Sequence, residues 1–292
     1  MKPEMFLDAK AQIEGAEAQI HEIEAKIAEF IEGRPYDLIA KRDHKAGIDI
    51  WRYQLREELP RRLRIIIRQA LLNLRAPLDH LAHELAIQHS GKAPRATAFP
   101  FGRTRNAFER ELPKKTEKMS PAAVQLICDC QPYPRSNDYS GGNDILFALH
   151  ELNRGDKHFR LVPVNLQTSA DMSELGVFSG KVLTVGPREG RHLVRDNDNN
   201  LSQPVHDRQP RPDLNPARIV FGIDGHFSAK ESMEMLTTLP GTKFEADFKP
   251  SLNVAFRDVE AIQGEPVVAA LNQMRDAVAG ILLEFERRFF SE

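Results

Sequence analysis

PRRLRIIIRQALLNLRAPLDHLAHELAIQHS, residues 60–90, decides the fold. Leu63, Ile67, Leu71, Leu74, Leu78, Leu81 and Leu85 recur at spacings of four and three. That period lays one apolar stripe along a helix and predicts a long element near 60–89 that buries one face. Arg75, Pro77, Asp79 and His80 interrupt the pattern midway, with His83 and Glu84 just beyond. Polar groups against a core need partners or a task, so this segment also holds the candidate chemistry.

Working outward, residues 4–33 read as a second long helix. Ala9, Ile13, Ala16, Ile20, Ile23, Ile27 and Phe30 keep four-three spacing, and Gly33 and Pro35 end it. Such a rod is roughly 45 Å long and needs a partner of similar length, within the chain or across a dimer. Shorter helices are expected at about 120–130 and at 144–154, the latter capped by Asn143 or Asp144. A last helix near 266–290 carries Val267, Leu271, Met274, Val278, Ile281, Phe285 and Phe289. Residues 36–55 contain two strand-like runs, YDLIAKR and IDIWRYQL, around a turn, and predict a β-hairpin. The stretch 98–118 (AFPFGRTRNAFERELPKKTEK) reads as irregular and locally basic.

From 158 to 258 the pattern changes. Short β-rich runs such as FRLVPVNLQ, GVFSGKVLTVG, ARIVFGID and LNVAFRD alternate with turn residues, as in an antiparallel sheet. Between them lies a polar, proline-rich stretch, 196–216, expected to be an exposed loop. The expected fold class is therefore α+β. A helical bundle of 1–157 plus 259–292 carries the hairpin at 36–55, and the antiparallel β-region of 158–258 is inserted into it.

Composition narrows the function classes. The 292 residues are 41% hydrophobic and 28% charged, with formal net charge −2. Overall charge gives no reason for nucleic-acid binding, so any basic surface must be local. One such surface is formed in sequence by Arg61, Arg64, Arg68 and Arg75, followed by Arg103, Arg105, Arg110, Lys114, Lys115 and Lys118. It would suit an RNA backbone, or be a solvated face answered by Glu57, Glu58, Glu109 and Glu111. There is no long apolar run for a signal or a membrane span, so a cytoplasmic protein without membrane contact is expected. Cys128 and Cys130 point to different helix faces and are expected as reduced thiols. No phosphate-binding glycine loop, dinucleotide fingerprint, nucleophile elbow or paired CxxC is found, which disfavours nucleotide-cofactor enzymes and serine hydrolases. No cofactor is expected.

Within NLRAPLDH (73–80), Arg75 and His80 lie about 140° apart on a straight helix. Pro77 removes a donor and pushes on the Asn73 carbonyl, so a kink or a helix-to-helix step is expected that swings both side chains to one groove. Histidine can move a proton near neutral pH, and arginine offers a fixed fork for phosphate. This arrangement resembles the Arg-x4-His motif of HEPN-type ribonucleases. The resemblance implies metal-independent RNA cleavage at a homodimer interface, possible in a toxin or phage-defence setting. It makes Arg75 the phosphate clamp, His80 the acid/base, and Asn73 or Asp79 an orienting partner. Arg68 would extend the substrate-binding surface. The alternative is that Arg75 and Asp79 form an ordinary i, i+4 ion pair in a non-catalytic binding or regulatory protein.

NLRAPLDHLAHEL (73–85) and LHELNRGDKHFRL (149–161), with FPF (99–101) and QPY (131–133) between, also resemble a recurring, uncharacterised bacterial family with NLRxxLDH and LNxxDKH segments. That resemblance implies no settled activity. It does imply that the corner of Asp156, Lys157 and His158 faces the second helix, where Lys157 and His158 would join Arg75 and His80 as substrate-binding residues. A metal site built from His80, Glu84, His150 and His158, with His83 beside them, is the rival chemistry.

Overall fold

The computed structural model describes residues 4–154, 164–171, 175–179, 182–185, 194–195, 201–202, 222–227, 232–238, 240, 243–246, 249–256 and 259–290. The fold class is α+β. The helical unit comprises Met1–Ile27, Pro60–Val164 and Ala255–Glu292, and the β unit Ala28–Leu59 and Asn165–Val254.

In chain order, α1 (Glu4–Glu32) leads to the hairpin strands β1 (Tyr36–Asp43) and β2 (Ile48–Leu55), then to α2 (Arg61–Ser90). Next come α3 (Arg105–Lys115), α4 (Pro121–Asp129) and α5 (Asp144–Arg154). Strands follow as β3 (Val164–Asp171), β4 (Leu175–Ser179), β5 (Val182–Val185), β6 (Val194–Arg195), β7 (Leu201–Ser202) and β8 (Gly222–Phe227). The chain ends with β9 (Ser232–Thr238), β10 (Lys243–Ala246), β11 (Lys249–Phe256) and α6 (Val267–Phe285), which continues as a wider π-helical turn over Glu286–Phe290.

The leucine stripe of α2 is the core of the helical unit. Leu63, Ile67, Leu71, Leu74, Leu78, Leu81 and Leu85 are all buried, facing α5 and α6. Ala9, Ala16, Ile20 and Ile23 of α1 and Val267, Leu271, Met274, Val278 and Phe285 of α6 are buried with them. Each fully buried Leu or Ile contributes about 1.5–3 kcal/mol by leaving water, which makes this stripe the main stabiliser of the unit. Polar ties fix the neighbours in register. Lys10 pairs with Glu286 at 2.9 Å, and Arg275 with Glu17 at 3.1 Å. Asn153 of α5 donates from one amide nitrogen to the carbonyls of Leu149 and Leu71.

Three expectations change. The first concerns the hairpin, which is grouped with the β unit and not with the bundle. Its strand β2 pairs with β9, giving a four-stranded sheet in the order β1-β2-β9-β5. Trp51 Nε1 donates to Thr238 Oγ1 at 3.3 Å across this pairing. The joining strand, SMEMLTT, lacks the β-branched run that marks a strand, and its pairing partners supply what local propensity does not.

A second change is that 98–118 contains a helix, α3. Thr104 accepts the Ala107 amide as its N-cap, Phe108 is buried, and Arg105 pairs with Glu109 one turn on. Charge density hid a helix with only one buried anchor. Third, α2 runs unbroken through Pro77, so there is no helix-to-helix step. The Pro77 ring is itself buried among the helical contacts that hold the element together.

Of the 196–216 stretch, only Leu201 and Ser202 are described, paired with Arg195 and Val194. No described helix is long and apolar enough to cross a membrane.

Candidate functional site

Arg75 is the centre of the polar cluster beside the core. Its side chain is only 13% exposed. Nη1 lies 2.9 Å from Asp79 Oδ2, an ion pair whose N–H direction falls short of an aligned hydrogen bond. Nη2 donates to the Phe99 carbonyl at 3.4 Å, and the guanidinium carbon sits 4.5 Å from the Phe101 ring centre. Cation–π contacts of this kind contribute about 0.5–2 kcal/mol. Burial pulls the Arg75 guanidinium below its ordinary value, and Asp79 opposes the shift.

Asp79 has a second role. Its Oδ1 accepts the Phe99 amide at 3.1 Å, so one carboxylate holds both the arginine and the incoming loop. The loop that follows α2 is shaped for this contact. Gly91 takes φ 73° and ends α2 in the left-handed region, donating to the Ile87 carbonyl. Phe99 and Phe101 then bury their rings. Gly102 follows, where an added Cβ would lie 2.3 Å from the Phe108 nitrogen, so only glycine lets the loop pass α3 this closely.

From α5, His150 stacks on Phe101, with ring centres 4.5 Å apart and planes within 3°. Desolvation, reinforced by the Arg75 charge, pushes this imidazole down to about 4. It is neutral at pH 7 and contributes as an aromatic plate. Its neighbour Glu151 takes Arg103 at 2.9 Å and Arg154 at 3.4 Å, tying the same loop to α5 a second time. The FPFG segment is thus clasped from both α2 and α5.

The sequence-derived residues divide. Arg75 and Asp79 come together in the i, i+4 pair of the alternative reading. Asn73 does not orient Arg75, because its Nδ2 donates to Gln19 Oε1 of α1 at 3.1 Å. His80 is exposed on the outer side of α2, while Arg75 is withdrawn against the loop. With the helix unbroken, the two do not converge within one chain. Arg68 is half-buried and engaged in a contact of its own. Lys157 and His158, with Asp156, lie outside the described residues.

Of the rival metal set, His80 is exposed and His150 is held against Phe101. Among the described residues no group of three or more His, Cys, Asp or Glu side chains is placed to hold a metal ion. Several members of the basic run are answered by acids: Arg103 by Glu151, Arg105 by Glu109, Lys118 by Glu117. Cys128 and Cys130 are both free, and burial pushes the Cys130 thiol up to about 12, which leaves it unreactive.

Phe101 and His150 are the members that sequence reasoning did not join to Arg75. The FPF run was the available signal, since two phenylalanines around a proline in a polar stretch must bury somewhere. Comparison with family models, with curated proteins and with solved structures gives no match.

Proposed function

We propose that this protein acts by binding and not by catalysis: a homodimeric, cytoplasmic, regulatory or partner-binding α+β protein in which Arg75 and Asp79 are structural. One observation carries this reading. The Arg75 guanidinium is engaged by a carboxylate, a carbonyl and an aromatic face, leaving little of it to clamp a phosphate. A phosphate would have to displace Asp79 and uncover Phe101 before it could pair with Arg75.

RNA cleavage of the HEPN type is the second reading, favoured by the exposure of His80, which a substrate could reach. It requires Arg75 to leave its clasp when RNA binds. The test is incubation of purified protein with labelled RNA, with and without EDTA, beside His80→Ala and Arg75→Ala. The binding reading expects intact RNA throughout and a loss of stability in Arg75→Ala alone. EDTA-resistant cleavage lost in both variants would replace it with the nuclease.

A further inference from the structure

β1 lies at the edge of the β1-β2-β9-β5 sheet, with no strand beyond it among the described residues. Its pairing with β2 decides which of its backbone groups are already used. The Arg56 amide donates to the Pro35 carbonyl at 2.8 Å, and the register runs without a shift from Tyr36 opposite Leu55 to Asp43 opposite Ile48. Hydrogen-bonded pairs alternate along an antiparallel ladder, so Asp37, Ile39, Lys41 and Asp43 turn their amides and carbonyls toward β2. Tyr36, Leu38, Ala40 and Arg42 turn theirs away from the sheet. Such a row of donors and acceptors is a template for another strand. It is open to solvent, because Asp37, Ile39, Ala40, Lys41 and Arg42 are exposed.

Charged side chains on an edge turn away most partners, and here their signs select one. A second copy of β1 can pair antiparallel only where even positions oppose even positions, since those carry the outward groups. Centring that pair on Ala40 sets Asp37 against Asp43, and centring it on Lys41 sets lysine against lysine. Centring it on Leu38 leaves Asp37 opposite isoleucine. Only centring on Ile39 engages all four outward positions and sets Asp37 against Lys41 of the second copy, twice, with Ile39 against itself between them. The side chains are free for this. Lys41 has no ion pair among the described residues, and Ile39 is 38% exposed. Asp37 meets Arg56 at 3.3 Å in an exposed pair, which leaves its other oxygen for a second cation. Arg42, held by Asp49, is not needed. A strand complementary to its own reversed copy meets the demand of a two-fold interface.

We propose that two copies of this chain dimerise through the outer edge of β1, antiparallel, with the two-fold axis at Ile39, so that the sheet continues from one copy into the other. The inference rests on the homodimeric reading and names its edge and register. One strand from each copy gives a small interface, so the dimer is expected to form only at high micromolar concentration.

Sedimentation equilibrium from about 5 to 500 μM gives the first readout. Wild type should rise from 33.1 kDa toward twice that mass. Lys41→Glu, which opposes carboxylate to carboxylate at both ends of the pair, should weaken association at least about fivefold with an unchanged circular dichroism melt. Asp37→Lys should weaken it likewise, and the double swap Asp37→Lys, Lys41→Glu should restore it, because opposite signs face each other again. A protein that stays monomeric throughout overturns both the homodimer and the edge. A dimer indifferent to Lys41→Glu, or one that the swap fails to rescue, overturns the edge alone. Crosslinking gives the second readout and fixes the register, in a Cys128→Ser, Cys130→Ser background. Ile39→Cys should oxidise to a covalent dimer, since its two copies face each other at about 4.5 Å between Cα atoms. Ala40→Cys should not, because its copies would stand about 8–9 Å apart, beyond disulfide reach. Equal crosslinking at both positions would mean a parallel pair and would overturn the antiparallel register.

Discussion

Asp79 holds Arg75 with one carboxylate oxygen and the backbone amide of Phe99 with the other. A helix residue thereby fixes a loop, and the loop returns an aromatic ring to cover the arginine. The cluster reads as a clasp between α2, the FPFG segment and α5. Removing Arg75 should cost stability before it costs anything else. Arg75→Ala is expected to lower the unfolding free energy by about 2–3 kcal/mol, toward the low end for a broken buried pair because Asp79 stays partly solvated. Arg75→Lys should recover less than half, since an ammonium cannot span the carboxylate, the carbonyl and the ring together. Urea titration of the three proteins checks both statements.

His150 sets the acid response. Its folded value, about 4, lies below the ordinary 6.5, so the unfolded chain binds the extra proton first. Stability from this residue is complete above pH 6.5, falls as pH drops toward 4, and is lost below it. The full swing is of order 3 kcal/mol at most. His150→Phe keeps the stack on Phe101 and removes the proton site. Its stability should be flatter than wild type between those pH values, measured by denaturant unfolding at several pH steps.

Gly102 should tolerate no side chain. Because an added Cβ meets the Phe108 backbone, Gly102→Ala must shift α3 or the loop. A loss of roughly 2–4 kcal/mol is expected, with Gly91→Ala as a milder control whose Cβ meets nothing within 4 Å and suffers only the strain of its φ. Thermal melts of the two variants give the comparison.

Glu234 stands opposite Arg52 in β9, the inner strand that joins the hairpin to β5. Proline there disturbs the β2 pairing of a strand whose later residues, Leu236–Thr238, also pair with β5. Glu234→Pro should alter the fluorescence of Trp51, the sole tryptophan, which lies 187 positions in sequence from its Thr238 partner. Unchanged emission would mean that the hairpin folds without β9.

Much of the helical unit was legible from period alone. The stripe of α2 needed only the recurrence of leucine, α1 ended just before the Gly33 and Pro35 that mark its stop, and α6 opened directly after Pro266. The β unit was legible as a class but not as a topology, because Ser232–Thr238 carries methionine and glutamate where strands favour branched residues. At Pro77 the helix-to-helix step that local sterics allow does not occur, and burial of the helix on both sides of the proline keeps it continuous. At the site, the Arg75–Asp79 pair followed from i, i+4 spacing. The ring of Phe101 and the plate of His150 come from elements 26 and 75 positions away, and no local pattern joins them to Arg75.

A double-mutant cycle on Arg75→Ala and Asp79→Ala, followed by urea unfolding, tests the clasp most directly. The account predicts a coupling of at least about 1 kcal/mol, with each single variant clearly less stable than wild type. Additive effects near zero, in proteins that unfold like the parent, would mean that Arg75 is available for a ligand and would contradict the structural role assigned to it.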